Sequence, residues 1–294
     1  MKSQTKLSDD EIHFIKEAQH FLDSPSIALR VANAMGKPLD WVQEKLPEKH
    51  QQMVRKAVQK SLEKALRIAI RSVGKQRDGD DIWAELAEES NKTKKRHTVA
   101  SGLTGGVGGF FGLLPLPVEL PLTTGIIMRS IASIAQEFGA DLNSDQVKLE
   151  CLYIFTLGAD KAYWDDEMDS SYYSSRVAFS KMIQEGAKYM AAHSAKELLK
   201  GVKKGSAPII VSFISRVASY FEVAVTEKLL MEAVPIIGGV GGATINVLFT
   251  DYFSKAARYH FGLRNLEEKY GEDEVKKIFN HLSNEIAPDL KAQE

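Results

Sequence analysis

Polar side chains that interrupt two apolar runs are the residues of this sequence best placed to do chemistry. The first run, 98–130, has no charged residue before its single acid, Glu119. The second run, 233–250, has no charged residue at all. The candidate binding residues within or next to these runs are Glu119, Thr123, Thr124, Arg129, Asn246 and Asp251.

A carboxylate in apolar surroundings is costly unless it is paired, hydrogen-bonded or protonated. We therefore expect Glu119 to have a partner, which the sequence leaves open among Arg129, a hydroxyl group, backbone amides at a helix start, and a ligand. A ligand here would be a lipid head group, a proton, a small molecule or a metal ion. A purely structural hydrogen-bond network is the alternative that the same residues allow.

The glycines of the two runs, which share the pentapeptide GGVGG, do not form a nucleotide-binding loop. The G-x-G-x-x-G pattern needs glycine where Phe111 and Thr244 stand, and neither run contains the Gly-Lys-Ser/Thr of a phosphate loop. Glycines four residues apart lie on one helical face and let two helices approach closely, in lipid or in a soluble core. The helix-packing candidates are Gly105, Gly109, Gly238 and Gly242.

Neither a metal site nor a cofactor site is predicted. The seven histidines are scattered, and Cys151 has no second cysteine to pair with. The acids Asp165, Glu167 and Asp169 alternate like a calcium loop, but serine and arginine stand at its sixth and twelfth positions. No nucleophile has a recognisable base, so we predict no catalytic residue, and the sequence favours a protein that is not an enzyme.

The composition is that of an ordinary globular protein in a reducing compartment. Apolar and charged residues make up 44% and 26% of the 294 residues, and the formal net charge of −1 gives no reason to expect a nucleic-acid partner. The single cysteine excludes an internal disulfide, and the polar N-terminus lacks the apolar core of a secretory signal. We expect a cytoplasmic location.

Helical periodicity dominates the chain, and strands are expected to be scarce. Ser8 and Glu11 have the spacing of a capping box, and Pro47 is placed to open a long helix. The stretch Asp160–Ser175 is rich in acids and aromatics and is predicted to be a surface loop. Further helices are predicted at Pro117–Phe138, from Ser144 or Asp145 to Gly158, and at Arg176–Leu199, Pro208–Leu230, Pro235–Phe261 and Asp273–Leu282.

The fold class that follows is all-α, a multi-helix bundle with two central Gly-rich apolar helices or hairpins. The apolar runs leave three settings open: a buried soluble core, a membrane-inserting hairpin, or a spanning helix. Basic clusters precede the first run (Lys92–Arg96) and a shorter apolar run at 208–214 (Lys196–Lys204). Lysines near an anionic leaflet each contribute roughly 1 kcal/mol, which favours a membrane surface as partner.

The central segment GGVGGFFGLLPLPVELPLTTGIIMRSIASIAQEFGAD resembles the signature of the EcsC family. The resemblance extends over residues 37–268 and implies an EcsC-like helical domain at 37–294 after an N-terminal helical extension at 1–36. The family takes its name from a gene that lies beside ABC-transporter components in some bacteria. Membrane association and ABC-transporter partners are therefore what the resemblance implies, and it supplies no catalytic residue.

Three functions remain open at this point. The leading hypothesis is a membrane-associated helical accessory protein on the cytoplasmic face, linked to transport or membrane homeostasis. The alternative is a soluble enzyme or small-ligand binder, in which Glu119, Arg129 and Asp251 face one polar pocket. A third hypothesis is a helical toxin or effector whose apolar hairpins insert into target membranes.

Overall fold

Every element that the structure describes is a helix, as the sequence periodicity predicts. The computed structural model describes residues 6–23, 47–72, 115–158, 172–233 and 242–291, and these ranges contain no strand. The α-helices are α1 (Asp9–Leu22), α2 (Glu48–Arg71), α3 (Leu116–Glu137), α4 (Asp145–Tyr153), α5 (Tyr172–Ala191), α6 (Ala195–Lys204), α7 (Pro208–Ala233), α8 (Gly242–Tyr270) and α9 (Glu272–Lys291). A 3-10 helix, Ile154–Gly158, continues α4. The all-α prediction is confirmed.

The first helix begins where its capping box predicts and is tied to the end of α8. The Ser8 hydroxyl accepts from the Glu11 amide at 3.2 Å, and the Glu11 carboxylate accepts from the Ser8 amide at 2.7 Å. The same carboxylate accepts from the Tyr270 hydroxyl at 2.8 Å and from Lys269 Nζ at 3.2 Å. Burial alone would raise the pKa of Glu11, but these donors hold it below its usual value.

The apolar helix α3 begins at Leu116, close to the predicted Pro117. Pro115 precedes the helix and Pro117 lies in its first turn, where a missing amide hydrogen costs little. Pro121 lies inside the helix and cannot donate to the carbonyl one turn earlier. Packing compensates for this lost bond, since α3 contacts α2 on one side and α8 on another.

At the centre of the core, α8 contacts α3, α7 and the 3-10 helix, and α7 also contacts the 3-10 helix. Ser130 of α3 meets Ser254 of α8, with 3.0 Å between their hydroxyls, and Asn265 donates to the Phe138 carbonyl at 3.2 Å. These two contacts advance in the same direction along both helices, so α3 and α8 run parallel. Aromatic rings join α7, α8 and the 3-10 helix, with centroid separations from 4.9 to 6.1 Å: Phe155, Phe221, Phe249 and Phe253.

The prediction of a surface loop at 160–175 is wrong for its last four residues. Residues 172–175 belong to α5, and Tyr172, Tyr173 and Ser175 are buried. Composition misled here because each of these hydroxyls finds a hydrogen-bond partner inside the protein. Residues 160–171 lie outside the described ranges.

Other boundaries also differ from the prediction. The helix expected at Arg176–Leu199 is two helices, because Ser194 and Glu197 form a second capping box that starts α6. The last two helices continue further than predicted, to Tyr270 and Lys291. Gly105, Gly109 and Gly238 lie outside the described residues, and Gly242 is the first residue of α8.

Two helical glycines predict opposite effects of the same substitution. A Cβ at Gly262 would overlap the Phe14 ring of α1 and lie 3.2 Å from Phe138, so Gly262→Ala should destabilise the fold by about 1–3 kcal/mol. A Cβ at Gly125 would meet only the ends of the Ile68 and Lys64 side chains at 3.3 Å. Gly125→Ala is the matched control and should be neutral or stabilising.

Urea unfolding of both variants measures the two effects. Equal changes in the free energy of unfolding would contradict the close packing of α1 on α8.

Candidate functional site

A buried ion pair joins α3 and α7. Lys228 Nζ lies 2.8 Å from Glu119 Oε1, and the two side chains are 1% and 7% exposed. Glu119 therefore has the partner that its surroundings require, although the partner is Lys228 and none of those considered from the sequence. The available signal was helical spacing, since Lys228 continues the buried face of Phe221, Ala224 and Val225.

Two threonines of α3 extend the site beyond Glu119. Thr123 lies one turn after Glu119 and therefore shares its face. It also lies two turns before Ser130, whose hydroxyl meets Ser254, so Thr123 faces α8. Thr123 and the next residue, Thr124, are both buried.

Asn246 approaches the pair from α8. It lies one turn before Phe249, whose ring centroid is 5.9 Å from Lys228 Nζ. It also lies eight residues before Ser254, which places it at the level of Thr123 in the parallel α3 and α8. Asn246 is buried, whereas Val247 and Leu248 after it are exposed, so its amide is directed inward. We call Glu119, Thr123, Thr124, Lys228 and Asn246 the Glu119 cluster.

The structure does not bring the remaining predicted residues to this cluster. Arg129 is exposed on α3. Asp251 pairs with Lys255 one turn further along α8, at 2.8 Å, and the two side chains are 41% and 54% exposed. The condition that Glu119, Arg129 and Asp251 face one pocket is therefore not met.

A second polar network, which the sequence analysis missed, joins α5 to α8. Arg176 makes two hydrogen bonds to the Glu267 carboxylate, at 2.6 and 2.9 Å, and Tyr173 donates to the same carboxylate at 2.8 Å. Arg264 adds a looser contact, with 3.8 Å to Glu267 and 3.7 Å to Glu150. The acidic–aromatic composition of 160–175 concealed these contacts, because their partners lie about ninety residues away in sequence.

His260 occupies the buried centre of this network. Its Nδ1 lies 2.9 Å from the Tyr172 hydroxyl, and Nε2 has no hydrogen-bond partner in the described structure. Burial first, and then the nearby Arg176 and Arg264, place the pKa of His260 well below its ordinary value. The imidazole is therefore neutral at physiological pH.

Comparison with known proteins decides the family. The model of the EcsC protein family matches residues 10–266 of this chain. The chain belongs to the EcsC family. No curated protein and no solved structure matches the chain. The family match begins inside α1, and so includes most of the stretch that we assigned to an N-terminal extension; the division at residue 36 stays a prediction.

This EcsC chain contains two described helices that are long and apolar enough to cross a membrane, by length and composition only. They are Leu116–Glu137 and Pro208–Met231, and 56% and 44% of their most apolar windows are buried within the protein. Buried core helices pass the same test, so the two helices are weak evidence for a membrane. No group of three or more histidine, cysteine or acidic residues that could hold a metal occurs among the described residues.

The neutral His260 of this EcsC chain predicts a pH dependence of stability. Because its folded pKa is depressed, the unfolded chain binds the proton more readily, and stability is lost as the pH falls below about 6.5. The wild type should therefore lose stability on acidification relative to His260→Phe, with a slope that approaches the uptake of one proton per molecule on unfolding. Urea unfolding of both proteins between about pH 5 and 7.5 measures the difference. Parallel curves would show that burial does not hold His260 neutral.

Proposed function

We propose that this EcsC chain is a membrane-associated helical accessory protein. It lies on the cytoplasmic face of the cell membrane and acts in transport or membrane homeostasis. The resemblance to a family named beside ABC-transporter components supports such components as partners. The physical part of the proposal, binding to a lipid surface, is supported by an exposed apolar patch on the bundle.

That patch carries the proposal. Val118 and Leu122 lie one turn apart on α3 and are 49% and 41% exposed. Val247 and Leu248 of α8 are each 39% exposed, at the same level of the parallel helix pair. Single exposed apolar residues are ordinary, but four of them together suggest an interaction site. We call these four residues the α3/α8 patch.

Sequence continuity makes lipid the fitting partner for the α3/α8 patch. Val118 ends the charge-free stretch that begins at Thr98, and the second charge-free run, 233–250, contains Val247 and Leu248. Each helix of the patch therefore continues one of the two glycine-rich runs in sequence. An apolar surface continuous with two charge-free runs suits the acyl boundary of a bilayer better than it suits water.

Exposed cations on α2 and α6 add an electrostatic contribution. Five exposed basic residues of α2 recur at steps of seven and four and form one stripe: Lys49, Lys56, Lys60, Arg67 and Arg71. The lysines of α6, which packs on α2, are exposed as well: Lys196, Lys200, Lys203 and Lys204. No ion pair joins these nine side chains to an acid among the described residues. Such a surface is attracted to anionic lipid.

The apolar run that follows α6 does not share in this surface. Ile210, Phe213 and Ile214 are buried in the core. The α6 lysines therefore contribute charge at the surface, and the α3/α8 patch is the part of the described structure that would insert into lipid.

Vesicle flotation of the full chain tests the proposal. The wild type should float with vesicles that contain anionic lipid. A variant with Val118→Thr, Leu122→Gln, Val247→Thr and Leu248→Gln should bind roughly tenfold more weakly or worse, because it loses most of the apolar area offered to lipid. Raising the salt concentration should weaken wild-type binding further, because it screens the α2 and α6 cations.

The control removes equally exposed apolar groups elsewhere. Val177 is 63% exposed on α5 and Ile12 is 39% exposed on α1. The variant Val177→Thr with Ile12→Gln should float like the wild type. Wild-type protein that stays unbound on anionic vesicles, or equal losses in both variants, would reject the membrane proposal.

A further inference from the structure

The Glu119 cluster contains more polar groups than the fold uses. Four of its buried side-chain atoms have no hydrogen-bond partner within the described structure: Thr123 Oγ1, Thr124 Oγ1, Asn246 Nδ2 and Asn246 Oδ1. Unpaired buried polar groups of this kind each cost about 1–3 kcal/mol. Three of these atoms belong to Thr123 and Asn246, which lie at one level of the α3/α8 pair, and they call for a partner other than the protein itself.

The two threonines do not use the local bond that a helix offers them. A helical threonine commonly donates to the carbonyl one turn earlier, as Ser61 does to Ala57 at 2.6 Å and Ser254 does to Thr250 at 3.0 Å. Thr123 and Thr124 make no such bond. The Thr123 hydroxyl, which faces α8, therefore remains available to a molecule placed between α3 and α8.

The charges of the cluster restrict what that molecule is. Lys228 and Glu119 neutralise each other at 2.8 Å, so a ligand with a net charge would leave one buried charge uncompensated. The unpartnered hydroxyls and the amide of Asn246 offer both donors and acceptors. The ligand that suits this site is an uncharged molecule with closely spaced groups that both donate and accept hydrogen bonds, as neighbouring hydroxyls do.

We propose that the Glu119 cluster binds an uncharged polyol, held by Thr123 and Asn246 beside the Lys228–Glu119 pair. The hydroxyls belong either to a free polyol or to the glycerol group of an uncharged lipid. Both sources are compatible with the site, since Thr123 lies next to the exposed Leu122 of the α3/α8 patch. The site does not depend on membrane binding and extends beyond the function proposed above.

Ligand-detected NMR with the full chain tests the free source, with glycerol and myo-inositol as the two probes. Saturation transfer from the wild type to at least one probe is expected. Asn246→Leu and Thr123→Val should each weaken that binding roughly tenfold, since each removes at least one hydrogen bond to the polyol. Ser130→Ala is the matched control, because it removes a hydroxyl that is already partnered between the same two helices; its binding should be unchanged.

Flotation on phosphatidylcholine vesicles with and without diacylglycerol tests the lipid source. The site is assigned to a lipid if diacylglycerol increases vesicle binding, Asn246→Leu abolishes that increase, and neither glycerol nor myo-inositol shows saturation transfer. The α3/α8 patch variant separates the two proposals, because it should lose anionic-vesicle binding and retain saturation transfer to the free polyol.

Thermal unfolding without any ligand distinguishes the polyol site from a network of hydrogen bonds that stabilises the fold, because only the loss of such a network would lower the Tm. If the polar atoms have no protein partner, Asn246→Leu and Thr123→Val should leave the Tm unchanged or raised. A clear drop in Tm for both variants would overturn the proposal, because it would show that the atoms hold the bundle together. The absence of binding by every probe, or equal binding by the wild type and Asn246→Leu, would also overturn it and leave a site that holds water only.

Discussion

The removal of one lysine and one glutamate from water, side by side, is the constraint on which this bundle depends. Each charge alone in the interior would cost several kcal/mol, and only close pairing offsets that cost. Lys228 and Glu119 meet at 2.8 Å and so fix α7 against α3 at one level. By composition both helices could cross a membrane, yet each presents a charge on its buried face. Within the bundle the two charges neutralise each other, which makes these helices partners in one core.

Local sequence signals predicted much of the fold, because they concern interactions within one helix. The Ser8–Glu11 capping box, the helix after Pro47 and the start of α3 near Pro117 all depend on residues a few positions apart. The need of Glu119 for a partner also followed from its apolar surroundings. Such requirements can be stated before the three-dimensional arrangement of the helices is known.

Contacts between distant residues could not be predicted in the same way. Glu119 and Lys228 are 109 residues apart, and Arg176 and Glu267 are 91 apart. Helical spacing tells which residues share a face but not which face meets another helix. Arg129 illustrates the limit: proximity in sequence suggested a partner for Glu119, whereas ten helical steps turn its side chain to the exposed surface.

The Glu119 cluster and the α3/α8 patch lie on neighbouring faces of the same helical turns. Thr123 faces inward toward α8 while Leu122 faces outward, and Asn246 and Val247 repeat this division on α8. The proposed polyol site and the proposed lipid-binding surface are therefore adjacent, because their residues alternate along the same two helices.

A double-mutant cycle on Glu119 and Lys228 tests the central claim most directly, with the free energy of urea unfolding as the measured quantity. Lys228→Met and Glu119→Gln should each cost about 3–5 kcal/mol, since each leaves a buried group without its partner. The double variant should cost far less than the sum of the two. The surface pair Asp251–Lys255 is the reference, with an expected coupling below about 1 kcal/mol. Additive losses at Glu119 and Lys228 would contradict the account, because they would show that the two charges do not meet in the folded protein.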